Sequence, residues 1–274
     1  MRFATLYGLP KPLPATEDVL CLWVADLARR VAHSTIRHYL YGVRSLHVDL
    51  GLADPLHGAR LERVLKGVQR QQASRPKLKR MPITTAIIER IRVTYQPMTL
   101  DEACVMAAMS TATAGMLRGK EFAAVPRELD RVPLIRDLAL TTNSATLRLR
   151  VSKTDPYGKG STVRIAQPAA LKDLHLYLSM RTDPHPSTPL FALSSGAPLS
   201  LRKVMATLRL LLARAGIDAG GWRGFSFRRG GATSLAEAGV PDRLIKELGR
   251  WRSWIYSIYI DTNEHQLLQA AAAM

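Results

Sequence analysis

The stretch GFSFRRGG at residues 224–231, followed by LGRW at 248–251 and by Tyr259, decides the fold of this chain. It brings an arginine, an indole and a phenol into one short span of a very basic protein. A guanidinium can bind a phosphate, a neighbouring N–H can donate to it, and a phenol can attack it. These are the groups that cutting a DNA strand without a metal ion requires.

The charge of the chain indicates its partner. Of 274 residues, 39 are Lys or Arg and 22 are Asp or Glu, which leaves a net charge of +17. A protein this basic gains affinity for polyanions by releasing their counterions, and nucleic acid is the first candidate. With 47% hydrophobic residues the chain can bury a sizeable core, so it is not a disordered basic tail. A basic structural protein would explain the charge equally well.

The cysteines and the N-terminal residues predict an intracellular protein. Cys21 and Cys104 lie far apart and without metal-ligand partners, so we expect neither a disulfide framework nor a metal site. The sequence has no run of about 18 apolar residues, and its first residues lack the apolar segment of a signal peptide. We expect no membrane association, and a location in the nucleus of a eukaryote or in the cytoplasm or nucleoid of a bacterium.

Composition divides the chain into two domains. Residues 1–72 read as helices, with Thr16 as the cap of one helix and Ser34 at the start of the next. The segment 73–82 has two prolines, four basic residues and no periodicity, which predicts a linker. Residues 83–274 are predicted to form a second, larger domain.

The basic residues of the linker are candidate DNA contacts. They are Arg75, Lys77, Lys79 and Arg80. They could follow a phosphate backbone or belong to a merely solvated linker, and composition alone favours neither interpretation. Arg229, in the stretch quoted first, is a fifth candidate.

The second domain is predicted to be α+β. Helical periodicity or capping residues predict helices at 84–96, 101–113, 168–180, 200–215, 228–238, 241–248 and 253–260. Residues 147–151 alternate with period two, a turn follows at 155–158, and alternation resumes at 162–165, which predicts a β-hairpin. The predicted fold is two-domain and mainly α, with an all-helical N-terminal domain and an α+β domain that contains a small antiparallel sheet.

Four short boxes follow one another along the second domain. They are GMLRGKEF at 115–122, VSKT at 151–154, FSFR at 225–228, and GRW at 249–251 with Tyr259. In this order they resemble the catalytic domain of the tyrosine recombinases, the phage-integrase family that includes Cre. With eight residues from Trp251 to Tyr259, the chain most resembles the recombinases of eukaryotic mobile elements. The resemblance implies a core-binding domain and a catalytic domain that clamp double-stranded DNA, with four protomers assembling as a tetramer on two sites.

The resemblance implies a role for five side chains. Arg118 and Arg228 would bind the scissile phosphate, and Lys153 would protonate the departing 5′ oxygen. Trp251 would donate its indole N–H to a phosphate oxygen, and Tyr259 would attack the phosphorus to leave a 3′-phosphotyrosine. The covalent link conserves the energy of the broken bond, so rejoining needs no ATP, no metal and no cofactor.

The residues themselves leave alternatives open. Arg118 and Glu121 lie about one helical turn apart, and such a pair is usually a surface ion pair, whereas the family's acid would brace the arginine. Counted by alternation, Lys153 falls on the apolar face of its strand, which fits either a snorkelling side chain or one directed at a site. Tyr256, about one turn before Tyr259, is the rival nucleophile.

Phe225 is the main departure from the family pattern. The family has a histidine at this position, three residues before Arg228, where imidazole assists proton transfer from the nucleophile. Such assistance is typically worth about 10²- to 10⁴-fold in rate, so cleavage should be severely slowed without necessarily being lost. Two hypotheses follow: a recombinase that breaks and rejoins DNA, and a recombinase-derived DNA-binding protein with weak or no cleavage. A type IB topoisomerase shares the chemistry, but the helical N-terminal domain argues against it.

Overall fold

The computed structural model describes residues 2–8, 13–74, 80–126, 128–151, 158–182, 185–260, 268 and 271–272. The chain divides into two compact units, Met1–Leu78 and Lys79–Met274. Within the described ranges, none of the helices combines the length and the apolar character needed to cross a bilayer. Four of the candidate site residues lie outside the described residues: Arg75, Lys77, Lys79 and Lys153.

The first unit is helical. It consists of α1 (Arg2–Leu6), α2 (Glu17–Ala28), α3 (His33–Asp49) and α4 (Ala59–Ala73). Thr16 caps α2 as predicted, because its side chain accepts a hydrogen bond from the backbone N–H of Val19 at 3.4 Å. The prediction that Ser34 starts the next helix is wrong by one residue. α3 begins at His33, with Ala32 at the cap position and no side-chain cap.

A buried amide completes the core of the first unit. The apolar faces of three helices supply the core residues Leu20, Val24, Leu27, Ile36, Leu40, Leu61 and Val68. Beside them the side chain of Gln72 donates to the carbonyls of Ala28 and Val31 at 3.1 and 3.0 Å, and accepts from the N–H of His33 at 2.7 Å. Gln72 therefore satisfies backbone groups at the end of α2 and the start of α3, and ties both to α4.

The helices of the second unit largely follow the predicted ranges. They are α5 (Thr85–Thr94), α6 (Leu100–Ala114), α7 (Gly119–Phe122), α8 (Pro168–Ser179), α9 (Leu201–Arg214), α10 (Ser226–Glu237) and α11 (Asp242–Leu248). Short 3-10 helices cover Leu129–Arg131, Ile135–Asp137 and Trp254–Tyr259. The prediction of an α-helix over 253–260 is wrong in type, because these few residues form the tighter 3-10 turns that are common in short pieces. α10 starts two residues earlier than predicted.

α6 is the central helix of the second unit. All its residues from Ala103 to Thr113 are buried, so it has no solvent-facing side over that length. Thr99 and Glu102 cap its start, since each side chain bonds the other's backbone N–H. Its other end leads into the turn at Gly115, which reaches the candidate site.

The predicted hairpin is confirmed and gains a third strand. β1 (Leu138–Leu140), β2 (Ala145–Leu149) and β3 (Ser161–Ile165) form an antiparallel sheet in the order β1-β2-β3, with Leu147 paired to Val163. β1 has three residues, too few for alternation to show in the sequence. β2 ends at Leu149, and Val151 is 42% exposed, so the alternation that assigned Lys153 to an apolar face stops before reaching it.

Two adjacent glycines allow α10 to pack closely. A Cβ on Gly230 would lie 1.7 Å from the carbonyl oxygen of Ile83, and one on Gly231 would lie 2.2 Å from that of Thr113. The N–H of Ile83 also donates to the carbonyl of Ser226 at 2.9 Å. Only glycine fits at both positions, and the start of α10 is therefore held against the C-terminal end of α6.

Candidate active site

Two strained backbone positions mark the site. Met116 and Arg250 are the non-glycine residues with positive φ in the described part of the chain, at 46° and 58°. Such a conformation costs about 1 kcal/mol or more and persists where the surrounding structure holds it. Met116 follows α6 and Arg250 follows α11, and the two turns meet. The guanidinium of Arg250 donates to the carbonyls of Gly115 and Met116 at 3.2 and 3.3 Å.

Glu121 joins two arginines across these turns. Its Oε1 accepts from Nη1 of Arg118 at 2.6 Å, and its Oε2 accepts from Nη2 of Arg250 at 2.8 Å. Oε2 also accepts from the backbone N–H of Arg118 at 2.9 Å, which fixes the start of α7. The side chain of Glu121 is only 5% exposed, so this is a buried pair and not an ion pair on the surface.

Arg228 is almost fully buried, at 1% exposure. Its Nη1 donates to the carbonyl of Met116 at 2.7 Å, and its Nη2 donates to the carbonyl of Gly249. The Nε of Arg228 meets no hydrogen-bond acceptor among the described residues, and the same is true of the Nε of Arg250. Buried donors normally find partners, so these two indicate a site built for a ligand.

In the described part of the site, arginines outnumber acids. Arg118 and Arg250 bind the carboxylate of Glu121, and Arg228 lies close enough to feel the charges of all three. Burial, and then the charges of Arg118 and Arg250, lowers the pKa of Arg228 to about 9. Burial also lowers the pKa of Arg250, although Glu121 opposes that shift. Both guanidiniums stay protonated at neutral pH, so the cluster holds an excess of positive charge that an anion can neutralise.

Trp251 covers the guanidinium of Arg228. Its ring centroid lies 4.1 Å from Cζ of Arg228, which is a cation–π contact, and its side chain is largely buried. The ring can fold back because residue 249 is glycine, where a Cβ would lie 1.6 Å from the ring of Trp251. The structure thus shows the ring face of Trp251 on the arginine. Donation from its N–H to a phosphate stays a prediction.

Tyr259 lies beside this pair. Its ring centroid is 5.8 Å from Cζ of Arg228 and 5.2 Å from the ring centroid of Trp251, and the residue is partly exposed. The hydroxyl of Thr233 donates to the backbone carbonyl of Tyr259 at 3.3 Å. Since Thr233 and Arg228 both belong to α10, one helix positions the arginine and the tyrosine.

Tyr256, the rival nucleophile, is committed elsewhere. It is 2% exposed, and its hydroxyl donates to Oδ2 of Asp242 at 2.7 Å. That hydrogen bond raises the pKa of Tyr256, which disfavours the phenolate that attack requires. The geometry therefore favours Tyr259 over Tyr256.

The remaining predicted residues lie around the start of α10. Phe225, at the motif-histidine position, is partly buried, and Cζ of the exposed Arg80 lies 5.0 Å from its ring centroid. Nη1 of Arg229 donates to the carbonyl of Ile258 at 2.7 Å and so holds the 3-10 helix that carries Tyr259. As DNA contacts, Arg80 and Arg229 stay predictions.

Arg250 is a residue of the site to which neither the sequence pattern nor the family resemblance assigns a role. A signal was present, because Arg250 lies inside the GRW box between two residues of the site. No local pattern, however, predicts its left-handed backbone or its contact with Glu121, which lies 129 positions earlier in the chain.

Comparison with known proteins shows which family and which fold the chain resembles. Residues 136–265 match the model of the phage integrase family. Among solved structures, the chain is similar to XerA recombinase, with 18% identity over 99% of this chain and 87% of that one and a TM-score of 0.55. XerH site-specific recombinase, in a post-cleavage complex with palindromic difH substrate, is 16% identical over 99% of this chain and 75% of that one, with a TM-score of 0.66. The Tn1549 transposon integrase, in complex with circular intermediate DNA, is 13% identical over 94% of this chain and 85% of that one, with a TM-score of 0.63. No curated protein sequence matches the chain.

The family model covers only part of the candidate site, and the solved structures show only the fold. The matched segment contains Arg228, Trp251 and Tyr259 but not Arg118, whose place in the site depends on its contact with Glu121. The solved structures have low identity and show the fold, and that fold confirms the predicted mainly helical chain with a small antiparallel sheet. Residues 136–265 thus match the phage integrase family, and the chain shares its fold with the solved recombinases XerA and XerH.

Proposed function

We propose that this protein breaks and rejoins DNA strands through a covalent 3′-phosphotyrosine on Tyr259. The observation that carries the proposal is the position of the Tyr259 ring, 5.8 Å from the guanidinium carbon of Arg228, beside a cluster with excess positive charge. A phosphodiester that neutralises the cluster would lie within reach of the phenol. The fold and the family of the domain agree with this chemistry.

In the proposed reaction, the phenol of Tyr259 releases its proton to water, and its oxygen attacks the phosphorus in line with the 5′ oxygen. The new bond joins the phosphorus to the phenol oxygen, and the bond from the phosphorus to the 5′ oxygen breaks. Arg118 and Arg228 bind the non-bridging oxygens, where charge accumulates, and such preorganised donors are usually the largest catalytic contribution. Lys153 supplies a proton to the departing 5′ oxygen. A 5′ hydroxyl of a partner strand then reverses these steps.

Phe225 supports a second candidate function, DNA binding with weak or no cleavage. The proton of the Tyr259 hydroxyl has no imidazole to accept it at this position, and the phenyl ring carries Arg80 instead. A cation held on a ring at the edge of the site can contact a phosphate but cannot act as a base. The same geometry would therefore bind DNA even if cleavage is slow.

The proposal extends to the domains and partners. Residues 1–72 would serve as the core-binding domain, 73–82 as the linker and 83–274 as the catalytic domain, although α4 continues to Ala73. Double-stranded DNA is the substrate, Arg75, Lys77 and Lys79 would follow its backbone, and four copies would assemble on paired sites. XerH and the Tn1549 integrase, which share the fold, are seen with DNA. The protein would act wherever its DNA lies, in a nucleus or a nucleoid.

A nicked suicide duplex tests the nucleophile. Once the strand is cut, the short fragment that carries the free 5′ hydroxyl diffuses away, and the protein stays covalently attached to the other fragment. Wild type and Tyr256→Phe should form the adduct, and Tyr259→Phe should form none, as seen by denaturing electrophoresis. An adduct that persists in Tyr259→Phe and is lost in Tyr256→Phe would contradict the assignment. A wild-type protein that binds the duplex but never forms the adduct would establish the second candidate.

A further inference from the structure

Arg250 is held more tightly than a turn residue needs to be. It follows α11 with φ of 58°, a conformation that glycine or asparagine usually provides at the end of a helix. Its side chain is only 11% exposed and makes hydrogen bonds to Glu121, Gly115 and Met116. An arginine accepts this backbone strain and this burial where its charge has a use.

A purely structural role explains only part of these contacts. Arg250 does clamp the turn at 249–251 to the turn after α6, through the two carbonyls that it binds. A clamp of that kind needs donors but no buried charge. Its Nε, like that of Arg228, meets no acceptor among the described residues, although both atoms are buried. Two buried donors without acceptors, on two neighbouring guanidiniums, indicate that the site is suited to bind an anion.

We propose that Arg250 is a third phosphate-binding guanidinium of the site, held toward the scissile phosphate by its ion pair with Glu121. This inference rests on the proposed function. A phosphodiester carries one negative charge, and the pentacoordinate state formed with a phenolate carries two. Among the described residues of the site, three guanidiniums and one carboxylate leave an excess of two positive charges, which matches the pentacoordinate state better than the ground state.

Two substrates distinguish contact with the phosphate from a structural clamp. One nicked suicide duplex carries the natural phosphodiester, and the other carries an uncharged methylphosphonate at the scissile position. Arg250→Gln should slow adduct formation by about 10²-fold on the phosphodiester, as expected for the loss of one preorganised donor. On the methylphosphonate the loss should be several-fold smaller, because the charge that Arg250 would neutralise is absent. Equal losses on both substrates would overturn the inference in favour of a clamp.

A matched variant controls for net charge. Arg209 is an exposed residue of α9, and Arg209→Gln removes the same charge from outside the cluster. Its adduct formation should equal that of wild type on both substrates. Thermal unfolding confirms that each variant is folded. If Arg250→Gln does not fold, Arg250→Lys is read on the same two substrates, because it keeps the charge and loses the fork of donors.

A binding measurement separates this inference from the proposed function. The dependence of duplex affinity on salt needs no cleavage, and each phosphate contact adds about 0.9 to the slope of log affinity against log salt. Arg250→Gln should lower the slope by about that amount, and Arg209→Gln by less. If wild type forms no adduct yet the slope falls, the phosphate contact of Arg250 stands and the cleavage proposal fails. If wild type cleaves while neither the slope nor the rate responds to Arg250→Gln, this inference alone fails.

Discussion

Two arginines of the second unit, the partly buried Arg92 and the fully buried Arg228, have opposite surroundings. Arg92, on α5, donates from Nε to Asp173 at 3.2 Å, from Nη1 to Glu89 at 2.5 Å and from Nη2 to the hydroxyl of Ser110 at 3.1 Å. Burial works against its charge, but the hydrogen bonds and charges of Asp173 and Glu89 prevail and raise its pKa. Its hydrogen-bonding capacity is used within the fold.

Arg228 has no such acid among the described residues. Its partners there are two backbone carbonyls, those of Met116 and Gly249, and the face of the Trp251 ring. Burial and neighbouring arginines lower its pKa, and its Nε is left without an acceptor in the described residues. Burial by itself therefore does not separate a structural arginine from a functional one. What separates them is whether carboxylates lie close enough to pair with the guanidinium.

The largest expected effect follows from removing Arg228. Arg228→Gln should reduce the rate of adduct formation on the suicide duplex by about 10²- to 10³-fold, because one preorganised donor to the phosphate is lost. Its free energy of unfolding should change less than that of Arg92→Met, since a buried charge without an acid is removed. Urea unfolding followed by circular dichroism measures the second quantity. A variant that cleaves at the wild-type rate would place Arg228 with Arg92 as a structural residue.

Removing Arg92 should have the complementary effect. Arg92→Met leaves Asp173, 11% exposed, without its guanidinium, and breaking a buried ion pair in this way costs about 3–5 kcal/mol. Urea unfolding should show this loss, while the adduct rate per folded molecule stays at the wild-type value. Arg90→Met is the control, because Arg90 is exposed on the same helix and its replacement should change stability by about 0.5 kcal/mol or less. Equal losses in both variants would remove the contrast with Arg228.

The smallest effect concerns Phe225, whose ring packs against the guanidinium of a third arginine, Arg80. Phe225→His should raise the rate of adduct formation, by up to about 10²-fold if the imidazole accepts the proton of Tyr259. The same change weakens the cation–π contact that holds Arg80, so the affinity for duplex DNA should fall slightly. Single-turnover cleavage and anisotropy titration measure the two quantities. A rate that does not change would indicate that residue 225 does not face the phosphate.

Local patterns predicted much of the fold, for reasons that particular elements show. The helix predicted at 200–215 appears as α9 with Ser200 at its cap, and the alternation predicted at 147–151 and 162–165 appears as β2 (Ala145–Leu149) and β3 (Ser161–Ile165). β1 was missed because three residues are too few for a period, and the 3-10 helix at 254–259 was predicted as an α-helix because both have similar spacing. α6 is apolar on all sides, so its sequence identifies a helix but no face.

The sequence by itself determined the helical and hairpin segments, the excess positive charge and the order of the boxes that contain Arg118, Arg228 and Tyr259. These are properties of composition and of neighbours within a few positions, which a chain carries before it folds. Only the tertiary structure decided that Glu121 binds Arg250, that Tyr256 is occupied by Asp242, and which buried arginine lacks an acid. Those outcomes depend on groups far apart along the chain and on which of them burial brings together, and no local pattern records that.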